Sequence, residues 1–173
     1  DAIRDLISGP VADGPSTAEG GLFAHIDESH QVDGNYESIT TVKSLKSLVK
    51  QIKAKGSMAV DTETDSLSIR DANLCGVSIS LATGAGYYIP TRSPEARKHL
   101  DTETVLQHLK PVLEDENIQK VGHNLKYDLN IFRSHGIDLA GPLFDTMVAS
   151  YVVDATRSSH GLDVLAKAIL DRN

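Results

Sequence analysis

The spacing of apolar side chains along the chain predicts an alternation of helices and strands. Apolar residues three and four positions apart between Val42 and Ile52 are typical of a helix that buries one face. Short apolar runs bounded by polar turns predict strands, and a turn at Thr83–Ala85 joins two of them as a hairpin. The predicted strands are residues 57–60, 74–82, 86–90 and 118–122, and the predicted helices are residues 42–52, 102–113, 124–134, 144–153 and 162–170. This order predicts an α/β fold in which helices cover a central sheet.

The first 38 residues differ in composition from the rest of the chain. Residues 8–37 are rich in Gly, Ser, Pro and Asp and follow neither the helix period nor the strand period, so we expect a flexible acidic linker or arm over residues 1–38. Residues 1–38 hold eight acidic residues and one arginine, which accounts for the whole net charge of −7. Residues 39–173, the predicted domain, are neutral, so the charge argues neither for nor against DNA as a partner.

Length and composition narrow the class of protein. A chain of 173 residues is long enough for one domain with a hydrophobic core. No apolar run approaches the roughly 20 residues that cross a bilayer, and the N-terminal residues do not follow a signal-peptide pattern. Cys75 is the only cysteine, which excludes an internal disulfide framework and favours a reducing, cytoplasmic setting.

Two acidic residues follow an apolar strand at Asp61 and Glu63. Because side chains alternate along a strand, residues two apart point to the same face, and we expect the two carboxylates side by side. Adjacent carboxylates repel unless a cation lies between them, and Mg²⁺ or Mn²⁺ prefers such oxygen ligands. The alternative interpretation is an ordinary polar loop after a strand, since such a pair is a weak signal alone.

The same four residues, Asp-Thr-Glu-Thr, occur again at Asp101–Thr104. There they precede a helical apolar pattern instead of ending a strand. Asp101 is therefore predicted to cap a helix, with Glu103 favoured by the positive end of the helix dipole. Only the first copy has the strand context of a metal site.

A second acidic position lies at Asp128, within the first turns of the helix that follows the strand ending at Gly122. A carboxylate placed there can face the same cavity as Asp61. The alternative interpretation is an exposed acid stabilised by the helix dipole. Asn124 is a candidate cap of this helix, and His123 is interpreted as a packing residue or a support of the site instead of a ligand.

Four segments together resemble the exonuclease domain of family A DNA polymerases. They are AVDTETDSL, KVGHNLKYDLNIF, FDTMVASYVVD and SSHGLDVLAKAIL, and the resemblance covers roughly residues 39–170. RNase D and the Werner-type exonucleases share the first two segments more loosely. The resemblance implies a ribonuclease H-like fold with a mixed central sheet flanked by helices. It also implies release of nucleoside monophosphates from the 3′ end of single-stranded DNA, with a polymerase domain in the same parent chain.

The resemblance implies roles for two groups of residues. Two divalent cations, Mg²⁺ or Mn²⁺, would be held by three catalytic ligands, Asp61, Glu63 and Asp128. Asp61 would bridge both cations, and Asp128 would hold the second. The substrate-binding residues would be Thr64, Leu67, Asn124 and Tyr127. Leu67 would wedge against the terminal base.

The family's third motif, Tyr-x-x-x-Asp, does not occur in these 173 residues. We therefore expect a domain that is incomplete at its C-terminal side, with three of four acidic ligands. Two alternatives stay open at this point. One is an inactive scaffold or a domain that binds single-stranded DNA, and the other is an RNase D-type exonuclease acting on RNA.

Overall fold

The computed structural model describes residues 34–95 and 98–171, which form a mixed sheet with helices. In chain order the elements are β1 (Asn35–Ser38), α1 (Val42–Lys55), β2 (Ser57–Thr64), β3 (Leu74–Ala82), β4 (Ala85–Pro90), α2 (Thr102–Leu113), β5 (Gln119–Gly122), α3 (Leu125–Ser134), β6 (Leu143–Asp145), α4 (Thr146–Val153) and α5 (Leu162–Leu170). The strand order across the sheet is β1-β4-β3-β2-β5-β6. Strand β3 is antiparallel to both β2 and β4, whereas β1–β4, β2–β5 and β5–β6 are parallel pairs. The predicted α/β fold with a mixed sheet is confirmed.

One face of the sheet carries the hydrophobic core. Met58 and Val60 of β2 face the same side of the sheet as Val77 and Ile79 of β3, and all four side chains are buried. Helix α1 packs on α2 and on β2, and α3 packs on β2, so these helices cover this face. The period of two along β2 therefore leaves Asp61 and Glu63 on the opposite, more accessible face.

The structure differs from the sequence prediction at two places along the edges of the sheet. Residues 144 and 145 were predicted as helical, but Leu143–Asp145 pair in parallel with β5 and α4 begins only at Thr146. Asn35–Ser38 belong to the predicted arm, yet they pair in parallel with β4, so the sheet begins before the predicted boundary at residue 39. The rest of the predicted arm lies outside the described residues. Among the described helices, none is both long and apolar enough to cross a membrane.

Candidate functional site

The end of β2 presents the first acidic pair. Along this strand Thr62 is buried, whereas Asp61 and Glu63 on either side of it are exposed. Asp61 lies opposite Ser78 and Glu63 lies opposite Gly76 on the antiparallel neighbour β3. The two carboxylates therefore share one face of the sheet, as their spacing predicts.

Asp128 is fixed at the same end of β2. It is 1% exposed, and its Oδ1 accepts hydrogen bonds from the Thr62 backbone N–H (2.8 Å) and the Thr62 hydroxyl (2.6 Å). The β2–β5 pairing reaches only Ala59 and Val121, so the polar groups of β2 beyond that point need other partners. The first turn of α3 supplies one. The bonds use Oδ1 of Asp128 and leave Oδ2 without a hydrogen bond from a described residue.

Asp61 and Asp128 have shifted acid–base properties. Partial burial of the carboxyl group, followed by the nearby charge of Asp128, raises the pKa of Asp61, against the opposing effects of the Thr62 backbone and His123. Burial also raises the pKa of Asp128, although the two hydrogen bonds from Thr62 oppose the shift. Two carboxylates that repel each other in a partly desolvated place are a setting in which a bound cation is favourable.

The donor set suits a hard divalent cation, because carboxylate oxygens are the ligands that Mg²⁺ and Mn²⁺ prefer. The Asp61–Asp128 pair fits this chemistry. Within residues 34–95 and 98–171, however, no group of three or more His, Cys, Asp or Glu is arranged to hold a metal ion. The assignment of Asp61, Glu63 and Asp128 as one ligand set therefore stays a prediction.

The loop between β2 and β3 carries Leu67, whose side chain is 94% exposed. At the start of the loop, the Tyr127 hydroxyl lies 2.5 Å from Thr64 Oγ1 and donates to the Ser66 carbonyl at 2.8 Å. At its end, the Asp65 carboxylate accepts from the Asn73 backbone and side chain. The structure thus places Thr64 and Tyr127 as supports of the loop, and Leu67 as its exposed apolar side chain.

Asn124 does not cap α3 through its side chain. It has a left-handed backbone with φ of 62°, and its side chain makes no capping hydrogen bond. The cap comes from Asp145, whose carboxylate accepts from the backbone N–H groups of Asn124 (3.1 Å) and Leu125 (2.8 Å). Asp145 also caps its own helix α4 through the N–H groups of residues 147 and 148. The sequence reasoning missed this residue, although Asp before an apolar helical segment is an N-cap signal.

A small cavity of about 280 Å³ lies beside Asp61 and is lined by His123, Ser78 and Thr146 among others. The Thr146 hydroxyl donates to the Gly122 carbonyl and lies 2.9 Å from His123 Nδ1. His123 Nε2 is buried and has no hydrogen-bond partner among the described residues. His123 is thus held by Thr146 next to the carboxylates, which agrees with a supporting position.

Comparison with known proteins identifies the family. The family described as 3'-5' exonuclease matches residues 36–173. DNA polymerase I of Borreliella burgdorferi is 34% identical over 148 residues, which cover 84% of this chain and 16% of that protein. The chain therefore spans about a sixth of the length of this relative.

Two solved structures share the fold. The polymerase-domain structure of Pol1 from M. smegmatis, in complex with DNA primer-template and dNTP, has a TM-score of 0.66 at 24% identity, covering 80% of this chain and 23% of that one. Escherichia coli RNase D has a TM-score of 0.63 at 24% identity, covering 80% and 34%. These likenesses confirm the ribonuclease H-like architecture. With the family match and the 34% identical relative, they show that this chain belongs to the 3′→5′ exonuclease domains of the DNA polymerase I family.

Proposed function

We propose that this chain removes nucleotides from the 3′ end of single-stranded DNA by hydrolysis, as the proofreading part of a DNA polymerase I-like protein. The observation that carries the proposal is the position of Asp128, which is bonded to Thr62, the residue between Asp61 and Glu63 on β2. No lysine or arginine among the described residues forms an ion pair with Asp61 or Asp128. A divalent cation would offset the repulsion between these carboxylates.

We assign the three acids as ligands of two cations, Mg²⁺ or Mn²⁺. As the family resemblance implies, Asp61 would be a ligand of both cations, Glu63 a ligand of the first, and Asp128 a ligand of the second, directly or through water. When bound, such cations lower the pKa of an attacking water and stabilise the leaving 3′ oxygen. The protein fixes the position of the Asp128 carboxylate before substrate binds. The two hydrogen bonds from Thr62 hold Asp128 in one orientation, so that ordering this carboxylate costs nothing further when substrate arrives.

The loop of residues 65–73 supplies the contact with the terminal nucleotide. An exposed leucine on a loop that is tied at both ends is suited to pack against the face of a base. We propose that Leu67 wedges against the terminal base, while Thr64 and Tyr127 hold the loop in place. Asn124, at the junction of β5 and α3, positions the strand near Asp128.

Of the three proposed ligands, only Asp61 and Glu63 are assigned to the first cation, which is a small anionic set for a divalent ion. We expect weak cation binding and slow cleavage by these 173 residues when they are tested by themselves. A polymerase domain in the same chain is the partner that the relatives suggest. A cytoplasmic location agrees with the single cysteine.

The test compares matched substrates in the full-length protein that carries this sequence. A single-stranded DNA and an RNA of the same sequence, labelled at the 5′ end, are incubated with Mg²⁺ and with a chelator. Stepwise shortening of the DNA from its 3′ end, lost with the chelator, is the expected result. Shortening of the RNA but not the DNA would favour the RNase D-type alternative. Binding of the DNA without cleavage would favour the inactive scaffold.

A further inference from the structure

Tyr88 of β4 lies on the same face of the sheet as the acidic pair. Its partner across the antiparallel ladder is Ser78, and the partner of Ser78 on the other side is Asp61. Residues that are directly opposite in antiparallel strands point to the same face. Asp61, Ser78 and Tyr88 therefore form one row across three neighbouring strands.

The absence of a side chain at Gly76 brings the Tyr88 ring towards β2. A Cβ at Gly76 would lie 2.6 Å from ring carbons of Tyr88, so the ring occupies the space above this glycine. Gly76 is the residue directly opposite Glu63 on β2. The phenol group therefore reaches from β4 across β3 to the neighbourhood of the Glu63 carboxylate.

The surroundings of the two groups complement each other. The Tyr88 hydroxyl lies in the space above Gly76, opposite Glu63, and a tyrosine phenol at neutral pH carries a proton that it can donate. The Tyr88 hydroxyl forms no hydrogen bond with a described residue, and Tyr88 is 39% exposed. Glu63 in turn accepts no hydrogen bond from a described residue, whereas Asp128 is held by two. Among the described residues, neither the Glu63 carboxylate nor the Tyr88 hydroxyl therefore has a hydrogen-bond partner.

We propose that Tyr88 is a positioning residue of the exonuclease site, which donates a hydrogen bond to the Glu63 carboxylate and orients it towards a divalent cation. The inference rests on the proposed function, because it assigns Glu63 as a ligand. Carboxylates that bind metals are commonly held by hydrogen bonds from a second layer of residues, and loss of such a partner typically weakens metal affinity about 10- to 100-fold. Gly76 supports this role of Tyr88, because only a residue without Cβ leaves room for the phenol above β3.

The neighbouring tyrosine provides a matched control. Tyr87 points to the other face of β4, where its hydroxyl donates to Gln51 Oε1 at 3.3 Å. Tyr87→Phe and Tyr88→Phe each remove one hydroxyl from adjacent residues of one strand. Only the second removes a group near Glu63.

The experiment measures Mn²⁺ binding to the full-length protein without DNA, by electron paramagnetic resonance of the free ion. Tyr88→Phe is expected to raise the half-saturating Mn²⁺ concentration about tenfold, and Tyr87→Phe to leave it unchanged. Gly76→Ala, which displaces the ring but keeps the phenol, is expected to act like Tyr88→Phe. In a Glu63→Gln background, Tyr88→Phe is expected to add no further loss, because its effect passes through Glu63.

Several outcomes would overturn the inference. Tyr88→Phe with wild-type Mn²⁺ affinity would show that the tyrosine only packs on Gly76. An equal loss from Tyr88→Phe in the Glu63→Gln background would show that it acts elsewhere. Wild-type protein that binds no Mn²⁺ would overturn both this inference and the ligand assignment. Mn²⁺ binding that depends on Tyr88, in a protein that leaves DNA intact, would support the inference while the proposed function failed.

Discussion

The sequence Asp-Thr-Glu-Thr occurs at the end of β2 and again at the start of α2, and the first carboxylate of each copy has the opposite electrostatic surroundings. In the first copy, burial and the charge of Asp128 raise the pKa of Asp61. In the second copy, hydrogen bonds from the side chain and backbone of Thr104 lower the pKa of Asp101. The first carboxylate is repelled by a second carboxylate, and the other accepts a hydrogen bond at a helix N-terminus.

The difference arises from the element that each copy joins. In a strand the residues alternate, so Thr62 turns inward to bond Asp128 while Asp61 and Glu63 turn outward. At a helix start the backbone N–H groups are free, and Asp101 accepts from the Thr104 N–H at 2.8 Å. Glu103 Oε1 accepts from the side-chain amide of Gln107 one turn later, at 3.1 Å. Identical residues thus provide a candidate metal site in one place and a helix cap in the other.

The largest expected effect is on catalysis. Asp61→Ala in the full-length protein removes the proposed shared ligand and is expected to slow release of 3′ nucleotides roughly 1,000-fold, equivalent to ~4 kcal/mol. Asp101→Ala is the matched control and is expected to retain activity, because its carboxylate caps helix α2 and accepts from the Thr104 N–H. Digestion of labelled single-stranded DNA in Mg²⁺ measures both. Equal losses from the two substitutions would contradict the contrast between the copies.

The threonines that follow these aspartates should differ in their contribution to stability. Thr62→Val keeps the shape of the side chain but removes the hydroxyl, one of the two donors to buried Asp128, so we expect a loss of about 2 kcal/mol in the free energy of unfolding. Thr102→Val changes a partly exposed helix residue and is expected to cost under ~0.5 kcal/mol. Urea unfolding followed by circular dichroism checks the pair. A Thr62→Val protein as stable as Thr102→Val would show that the bond to Asp128 contributes little.

The aspartates themselves should shift the melting temperature in opposite directions when no metal is present. Asp101→Ala removes an N-cap and is expected to lower Tm by about 2–4 °C. Asp61→Asn removes the repulsion from Asp128 and is expected to raise Tm. Thermal unfolding in a chelating buffer measures both shifts. A lower Tm for Asp61→Asn would indicate that Asp61 is stabilised by a contact other than a cation.

Local pattern was enough to predict most elements, because their signals lie within a few residues. The helices at 102–113 and 162–170 have the predicted bounds, and the cap at Asp101 is confirmed. The hairpin of β3 and β4 is also confirmed.

Features that depend on distant partners were not predicted. The cap of α3 comes from Asp145, 21 residues from Asn124, and no local pattern at Asn124 indicates it. Strands β1 and β6 are three or four residues long and become strands by pairing at the sheet edges. The approach of Tyr88 to Glu63 depends on register across three strands, which the sequence of a single strand does not contain. For the site, the sequence predicted the acidic positions, and the chain fold determines which supports surround them.

The smallest expected effects concern pH. The ordinary pKa of an aspartate here is 3.8, and the pKa of Asp61 in the folded protein is higher, whereas that of Asp101 is lower. A raised pKa means that the folded state binds the proton more tightly than the unfolded state does. The stability therefore falls as the pH rises from about 3.8 through the pKa of the folded state. A lowered pKa has the reverse sign, because stability is present above the ordinary value and is lost as pH falls through the folded pKa. The two copies should therefore weaken the fold at opposite ends of the pH range.

Urea unfolding between pH 3 and pH 7, in the presence of a chelator, separates these two contributions. Relative to wild type, Asp61→Asn should gain stability as pH rises above 3.8. Asp101→Asn keeps a side chain able to cap the helix, and its deficit relative to wild type should disappear as pH falls below 3.8. Added Mg²⁺ should stabilise wild type and Asp101→Asn alike at pH 7, and Asp61→Asn less, because a ligand stabilises the state that binds it. Parallel pH curves for the two variants, or equal stabilisation of both by Mg²⁺, would show that the two carboxylates do not differ as their surroundings imply.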